Sequence, residues 1–239
     1  MSESVILCEG YYDRAFWAGW LEHLGCRDRG PTPKPTGGHY WFDTRAGNRI
    51  EVVPCKGKSN VLPAARLRIS QRQVSPFARL VVCLDADTDV VQGGAETGLR
   101  NTDLLRVIRG YVPKAKLSAD ADIELADDTG VVSLVRWETG DAEVTGLPGR
   151  HCLERLVCAA LVATYPDRGR AVADWLAVRP KPPASDPKEF AWSHMAGWYA
   201  KLGCDAFYRG LWADSDVVVE LETRLKACNA WRVAEALTG

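Results

Sequence analysis

Three acids at alternate positions, Asp85, Asp87 and Asp89, close the stretch RLVVCLDADTD that begins at Arg79. The apolar run before them, Leu80 to Leu84, is short and rich in β-branched residues. Such a run is expected of a strand buried on both faces of a parallel sheet. Side chains alternate along a strand, so the spacing predicts that Asp85 and Asp87 point the same way. Like charges held that close repel unless a cation lies between them. Oxygen-only ligands suit a hard cation such as Mg²⁺ or Mn²⁺. The competing reading is a solvated acidic loop after a strand. A second acid has a comparable position. Glu9 follows the apolar run Val5 to Cys8 and precedes Gly10. It therefore stands at the carboxyl end of a predicted strand, where open α/β sheets place ligands. Asp13 lies four residues on, in the first turn of a predicted helix. It serves the helix dipole there or reaches back towards a metal beside Glu9.

Basic residues sit between these acids. From Glu51 to Asp85 the intervening sequence holds no acid, only Lys56, Lys58, Arg66, Arg68, Arg72 and Arg79. The net charge of −1 hides this asymmetry: residues 1–117 carry 17 Lys+Arg against 12 Asp+Glu, and residues 118–239 carry 13 against 19. A basic zone next to an acidic metal site is what a phosphodiester substrate would need. The same zone also reads as a solvated helix face. The segment Lys56-Gly57-Lys58-Ser59-Asn60 lacks the GxxxxGK[ST] spacing, so it is not a P-loop.

Elements that would position these residues can be read in order. A helix is expected from about Tyr12 to Leu24, with Phe16, Trp17, Trp20, Leu21 and Leu24 on one face and Gly25 as its stop. Residues 27–48 read as a loop-rich insertion, with 39–43 and 49–54 able to pair as a hairpin. A helix from Asn60, as its cap, to about Gln73 follows. Further helices are expected at 102–111, 151–165, 168–177, 187–202, 205–212 and 216–236, the last broken near Asn229. Strands are expected at 131–137 and 141–145. The first 150 residues thus alternate strand and helix, an α/β pattern with a mainly parallel sheet. The expected division is an α/β catalytic domain over 1–150 and a helical extension over 151–239 packed on it. Five of the nine tryptophans (175, 192, 198, 212, 231) fall in the second part, and most of them are expected to pack in the core. Eight scattered cysteines with no CxxC read as reduced, buried thiols rather than a disulfide framework or a zinc site. No apolar run reaches 18 residues, so no membrane span is expected. The N-terminus reads as a first strand rather than a signal peptide. The expected compartment is the cytoplasm.

ILCEGYYD and VVCLDADTD together resemble a Toprim domain, the catalytic fold shared by topoisomerases, primases and OLD-type nucleases. That pattern is Glu-Gly at the end of the first strand and Asp-x-Asp at the end of the third. PCKGKSN stands where many members carry a Gly-Lys turn. The resemblance covers roughly residues 4–137 and is nearest to stand-alone proteins related to the nuclease half of OLD proteins. It implies that Glu9, Asp85 and Asp87 hold Mg²⁺ (or Mn²⁺), with Asp13 and Asp89 nearby. It further implies a later acid, matched by Glu154, and a lysine, matched by Lys188 with Lys181 as second candidate. Helix N-terminal charge is the other account of Glu154, and a surface position the other account of Lys188. The chain carries no Walker A motif, so a separate ATPase is the protein partner the resemblance suggests.

These expectations describe a metal-dependent nuclease acting on nucleic acid, with DNA favoured over RNA. Two metals about 4 Å apart need several carboxylates, and a lysine would steady developing charge. Lys56, Lys58, Arg66, Arg68 and Arg72 would grip the backbone without reading bases. Two other classes stand beside it. One is a Toprim module that binds nucleic acid or a partner without catalysis. The other is a haloacid-dehalogenase-type phosphatase, whose DxDx[TV] motif Asp85-Ala86-Asp87-Thr88 begins to match, but Asp89 stands where Thr or Val belongs.

Overall fold

Three apolar runs make the centre of a sheet. They are β1 (Glu3–Cys8), β4 (Arg49–Pro54) and β5 (Arg79–Asp85), each buried along nearly its whole length. Continuous burial means both strand faces are covered, which requires helices on each side. β1 lies between the other two and runs parallel to both, with Leu7 opposite Val53 on one side and Val82 on the other. The computed structural model describes residues 2–31, 38–87, 99–126, 130–138, 151–178 and 203–239. Asp89, Lys181, Lys188, Trp192, Trp198, the strand expected at 141–145 and the helix expected at 187–202 lie outside the described residues.

The remaining described elements are α1 (Tyr11–His23), β2 (Arg27–Pro31), β3 (Tyr40–Asp43), α2 (Lys58–Ser70), α3 (Asn101–Arg109), β6 (Lys116–Leu117), β7 (Ile123–Glu124), β8 (Val131–Trp137), α4 (Leu153–Thr164), α5 (Pro166–Ala177), α6 (Cys204–Leu211), α7 (Ser215–Ala227) and α8 (Ala230–Thr238). Eight strands form one sheet in the order β2-β3-β4-β1-β5-β8-β7-β6. The α/β class is as expected, and the sheet is mixed. Its centre is parallel, while β2-β3-β4 and β6-β7-β8 are antiparallel ladders. β2, β6 and β7 escaped the sequence reading. β2 (RDRGP) contains Gly and Pro and no apolar alternation, and the other two have two residues each.

Of the described residues, 2–31, 38–84, 99–126, 130–136 and 229–239 form one compact unit; 85–87, 137–138, 151–178 and 203–228 form a second. This differs from a single boundary near residue 150. The reason is specific to α8. Asn229 donates its side-chain amide to the Leu134 carbonyl at 2.8 Å. Arg232 forks onto Asp122 at 2.8 and 2.9 Å, and Trp231 lies against Trp20 with centroids 6.0 Å apart.

In the first unit α1 buries Phe16, Trp17, Trp20 and Leu21 completely. Each contributes roughly 1.5–3 kcal/mol of hydrophobic stabilisation before entropy is counted. Trp17 donates its indole N–H to the Cys83 thiol at 3.4 Å, which ties α1 to β5. Gly25 ends the helix with φ +85°, as its position predicts. A second cluster, including Val61, Ala65 and Ile69 of α2 with Leu104 and Ile108 of α3, packs with β1 residues Val5 and Leu7. α2 begins at Lys58 with Gly57 as its cap, so Asn60 lies inside the helix rather than at its cap. In the second unit α4 packs against α5 and α7. Asp214 caps α7 through Asp216 and Val217 N–H groups and accepts the Tyr165 hydroxyl at 2.7 Å. Trp212 is buried there, and Trp175 is 54% exposed.

Candidate functional site

Two groups of acids occupy the positions singled out by sequence, one in each unit. In the first unit, β1 ends at Cys8 and the chain turns at Glu9-Gly10 into α1. The turn after β4 is stitched to this point. Cys55 N–H donates to the Cys8 carbonyl at 2.8 Å and Gly57 N–H to the Glu9 carbonyl at 2.7 Å. Lys56 and Gly57 both take positive φ, +62° and +126°. Only an unusual backbone turns the Gly57 amide inward, and glycine supplies it without a steric cost. Lys56 is exposed and Lys58 half-buried at the start of α2.

Glu9 and Asp13 are 8% and 7% exposed. Asp13 Oδ2 accepts the Gly10 N–H at 3.1 Å, so the capping role is present. Both acids also act on the Cys8 thiol. Burial first pushes that thiol well up, and Asp13, Cys55 and Glu9 push it further, against Arg14. Burial and Asp13 likewise raise Cys55 to about 11, against Arg68. Asp13 and Glu9 therefore lie within electrostatic reach of the buried Cys8 thiol.

In the second unit, Asp85 is 5% and Glu154 7% exposed. Asp85 Oδ1 accepts the Leu153 N–H at 3.0 Å, at the first residue of α4. Asp87 N–H donates to the His151 carbonyl at 3.0 Å. These bonds tie residues 85–87 to the start of α4. Burial pushes the Cys152 thiol far up, then Glu154, then Asp85. Glu154 and Asp85 therefore lie within electrostatic reach of one thiol. Asp87 does not follow strand alternation: β5 ends at Asp85, and Asp87 has φ +55°. Its side-chain direction is set by that left-handed turn, a conformation Asp tolerates better than most residues.

The basic residues divide. Arg68 Nη2 lies 2.6 Å from Oε2 of Glu51, whose other oxygen is 2.7 Å from His39 Nδ1. Glu51 is 3% exposed, so its carboxylate needs these partners. Arg68 is thereby held inside the protein's own ion cluster rather than presented as a diffuse contact. Arg72 lies past the end of α2, and its Nη1 donates to the Ile69 carbonyl at 3.1 Å. Arg72 therefore lies outside the helix, which was expected to reach about Gln73. Arg66 is exposed on α2. Arg79 pairs with Asp122 at 2.8 Å. The His39–Glu51–Arg68 cluster and the docking of Asp85 on α4 were not read from sequence. Neither has a local spacing signature, since the partners lie 12, 17 and 68 residues apart.

The chain's fold is similar to that of a hypothetical protein from Pyrococcus horikoshii OT3 with a known crystal structure. The TM-score is 0.67 at 13% identity, and the match covers 100% of each chain. No family model matches the chain. No curated protein matches it either. Likeness at this identity establishes the fold and carries no chemistry.

Among the described residues, no group of three or more His, Cys, Asp or Glu side chains is gathered in a way that could hold a metal ion. The donor chemistry does fit a hard divalent cation. Glu9, Asp13, Asp85 and Glu154 are all buried carboxylates at element ends, and oxygen donors suit Mg²⁺ or Mn²⁺ over softer metals. Among the described residues a cavity of ≈ 970 Å³ is lined by Ser2, Glu3, Phe77, Lys116, Glu124 and Gly130 among others, and none of the candidate residues lines it. No described helix is long and apolar enough to cross a membrane.

Proposed function

We propose that the protein is a Mg²⁺-dependent nucleic-acid phosphodiester hydrolase, with Mn²⁺ able to substitute. Glu9, Asp85 and Asp87 are its principal metal ligands, joined by Asp13, Glu154 and Asp89. The observation that carries this reading is strand register. β1 and β5 are parallel neighbours, with Leu7 opposite Val82. Glu-Gly follows the carboxyl end of one, and Asp-x-Asp begins at the carboxyl end of the other. That is the arrangement the Toprim resemblance requires, and strand carboxyl ends are where open α/β sheets bind ligands. When bound, such a cation neutralises charge at phosphorus and lowers the pKa of an attacking water. Lys56 and Lys58 would hold the phosphate backbone, and Lys188 would steady charge as it develops. DNA is the preferred substrate, and a separate ATPase is the expected partner. The cytoplasm is the expected compartment.

One observation favours a non-catalytic binding module instead. Asp13 and Asp85 each already accept a helix-end N–H group, so each has a structural occupation. A single experiment separates the two. Plasmid, linear and single-stranded substrates are incubated with the protein in Mg²⁺, Mn²⁺ or EDTA. Cleavage that needs the metal and disappears in Asp85→Asn supports hydrolysis. Metal-independent binding without cleavage under every condition sinks it.

A further inference from the structure

Beside Glu9 the first unit builds a column of rings and one guanidinium. Phe42 is fully buried, and Tyr40 stacks on it with centroids 6.5 Å apart and planes 25° apart. The Arg14 guanidinium carbon lies 4.5 Å from the Tyr40 ring centroid and 5.0 Å from that of Tyr11. Arg14 is 8% exposed, and its Nη1 donates to the Gly38 carbonyl at 2.7 Å. Gly38 has φ +71°, and a Cβ there would stand 2.9 Å from that same nitrogen. The backbone is thus shaped around the arginine. The column begins in the core and ends at Tyr11, which is 46% exposed.

Tyr11 is two residues from Glu9 and opens α1. Tyr11 leaves nearly half of its surface open to solvent at the start of the helix. A partly exposed tyrosine ring with a guanidinium against it can serve as a stacking surface. The nearby charge agrees: exposed Lys56 lies in the turn whose Gly57 N–H donates to the Glu9 carbonyl. A duplex keeps its base faces covered by neighbouring pairs, so only an unpaired base can present its π-face to a side chain.

We infer that Tyr11, supported by Arg14 and Tyr40, is a platform on which an unpaired base stacks. The substrate class is then single-stranded nucleic acid, or a strand with unpaired bases at the cleavage point. This rests on the hydrolase reading for its substrate class, but binding alone tests it.

The full chain, Tyr11→Ala and Tyr11→Phe are titrated in EDTA with a short strand containing a fluorescent adenine analogue, and with its duplex. Tyr11→Phe keeps the ring against Arg14 and should leave the melting curve unchanged, whereas Tyr11→Ala loses that contact and should melt slightly lower with the fold retained. Stacking on the platform predicts quenching by the wild type. It also predicts a single-strand Kd raised about 5- to 150-fold in Tyr11→Ala, nearly restored in Tyr11→Phe, with duplex affinity unchanged. An unaltered single-strand Kd in Tyr11→Ala overturns the platform, as does a Tyr11→Phe variant no better than alanine. Wild-type affinity for duplex equal to that for single strand overturns the substrate class. The same samples are then given Mg²⁺ or Mn²⁺. Absence of cleavage with the binding pattern intact would overturn the hydrolase reading and leave the platform standing.

Discussion

Asp85 offers a separation of structural from chemical roles, because one of its oxygens already holds the start of a helix. Oδ1 accepts the Leu153 N–H at 3.0 Å in a buried setting. Replacement by alanine leaves that N–H without its acceptor, at about 1–3 kcal/mol. It also removes a carboxylate from the start of α4, worth about 0.3–1 kcal/mol. Asparagine keeps an acceptor oxygen in the same place and loses only the charge. Part of that loss is offset, since Asp85 and Glu154 lie close enough to act on the same thiol and like charges repel. Asp85→Ala should therefore lower stability by about 2–3 kcal/mol, and Asp85→Asn by about 1 kcal/mol or less. Both should lose Mg²⁺ binding and cleavage. Urea denaturation gives the stabilities, compared at constant m value, and calorimetric titration gives Mg²⁺ affinity. If asparagine destabilises as much as alanine, the charge itself holds α4 and the role is structural. If Asp85→Asn cleaves at the wild-type rate, Asp85 is outside the metal site.

Asp87→Asn should abolish cleavage with folding intact, because asparagine also tolerates the φ of +55° found there; a melting curve and a cleavage assay check this, and cleavage at the wild-type rate removes Asp87 from the mechanism. Replacing Lys56 and Lys58 together with glutamine should weaken nucleic-acid binding and reduce its salt slope by about one for each lost phosphate contact. Mg²⁺ affinity should hold or improve, and binding unchanged at every salt concentration would make this zone a solvated surface. Asp122 supplies a pH test. Burial alone would raise its pKa, but hydrogen bonds from Arg232, Arg79 and Ser133 outweigh it and hold the carboxyl below its usual range. Its stabilising contribution is therefore complete above the unfolded value of about 3.9 and is lost as pH falls through the lower folded value. Asp122→Ala should cost about 2–4 kcal/mol at neutral pH, at the lower end because the Arg232 side chain is 34% exposed and can regain water. A urea-measured loss below about 0.5 kcal/mol would show that the two arginines do not depend on it.

Local chemistry made much of the fold legible. β8 is expected at residues 131–137 and found at Val131–Trp137, and α1 and α2 begin and end within three residues of their expected bounds. Long apolar runs and 3.6-residue periodicity are properties of neighbouring residues, so they survive in one dimension. Gly25 is a stop for the same reason: the φ of +85° that α1 needs there is favoured by one residue type. The acids at the ends of β1 and β5 were also visible, because a carboxylate directly after a buried apolar run is anomalous wherever the run folds.

Pairings over long separations belonged to the tertiary structure alone. Nothing near Arg68 announces that it serves Glu51, so a basic run read as a nucleic-acid surface instead contains a cation held by a buried acid. Nothing near Arg232 announces Asp122, 110 residues earlier, so the final helix was assigned to the C-terminal part although it closes on the first unit. The Tyr11–Arg14–Tyr40 column is of the same kind. Its members are ordinary in sequence, and it exists because β3 pairs with β4 and α1 covers that face of the sheet. Propensity and pattern decide which elements form. Which side chains then meet depends on burial, where a charge removed from water must find a partner at whatever sequence distance the fold supplies.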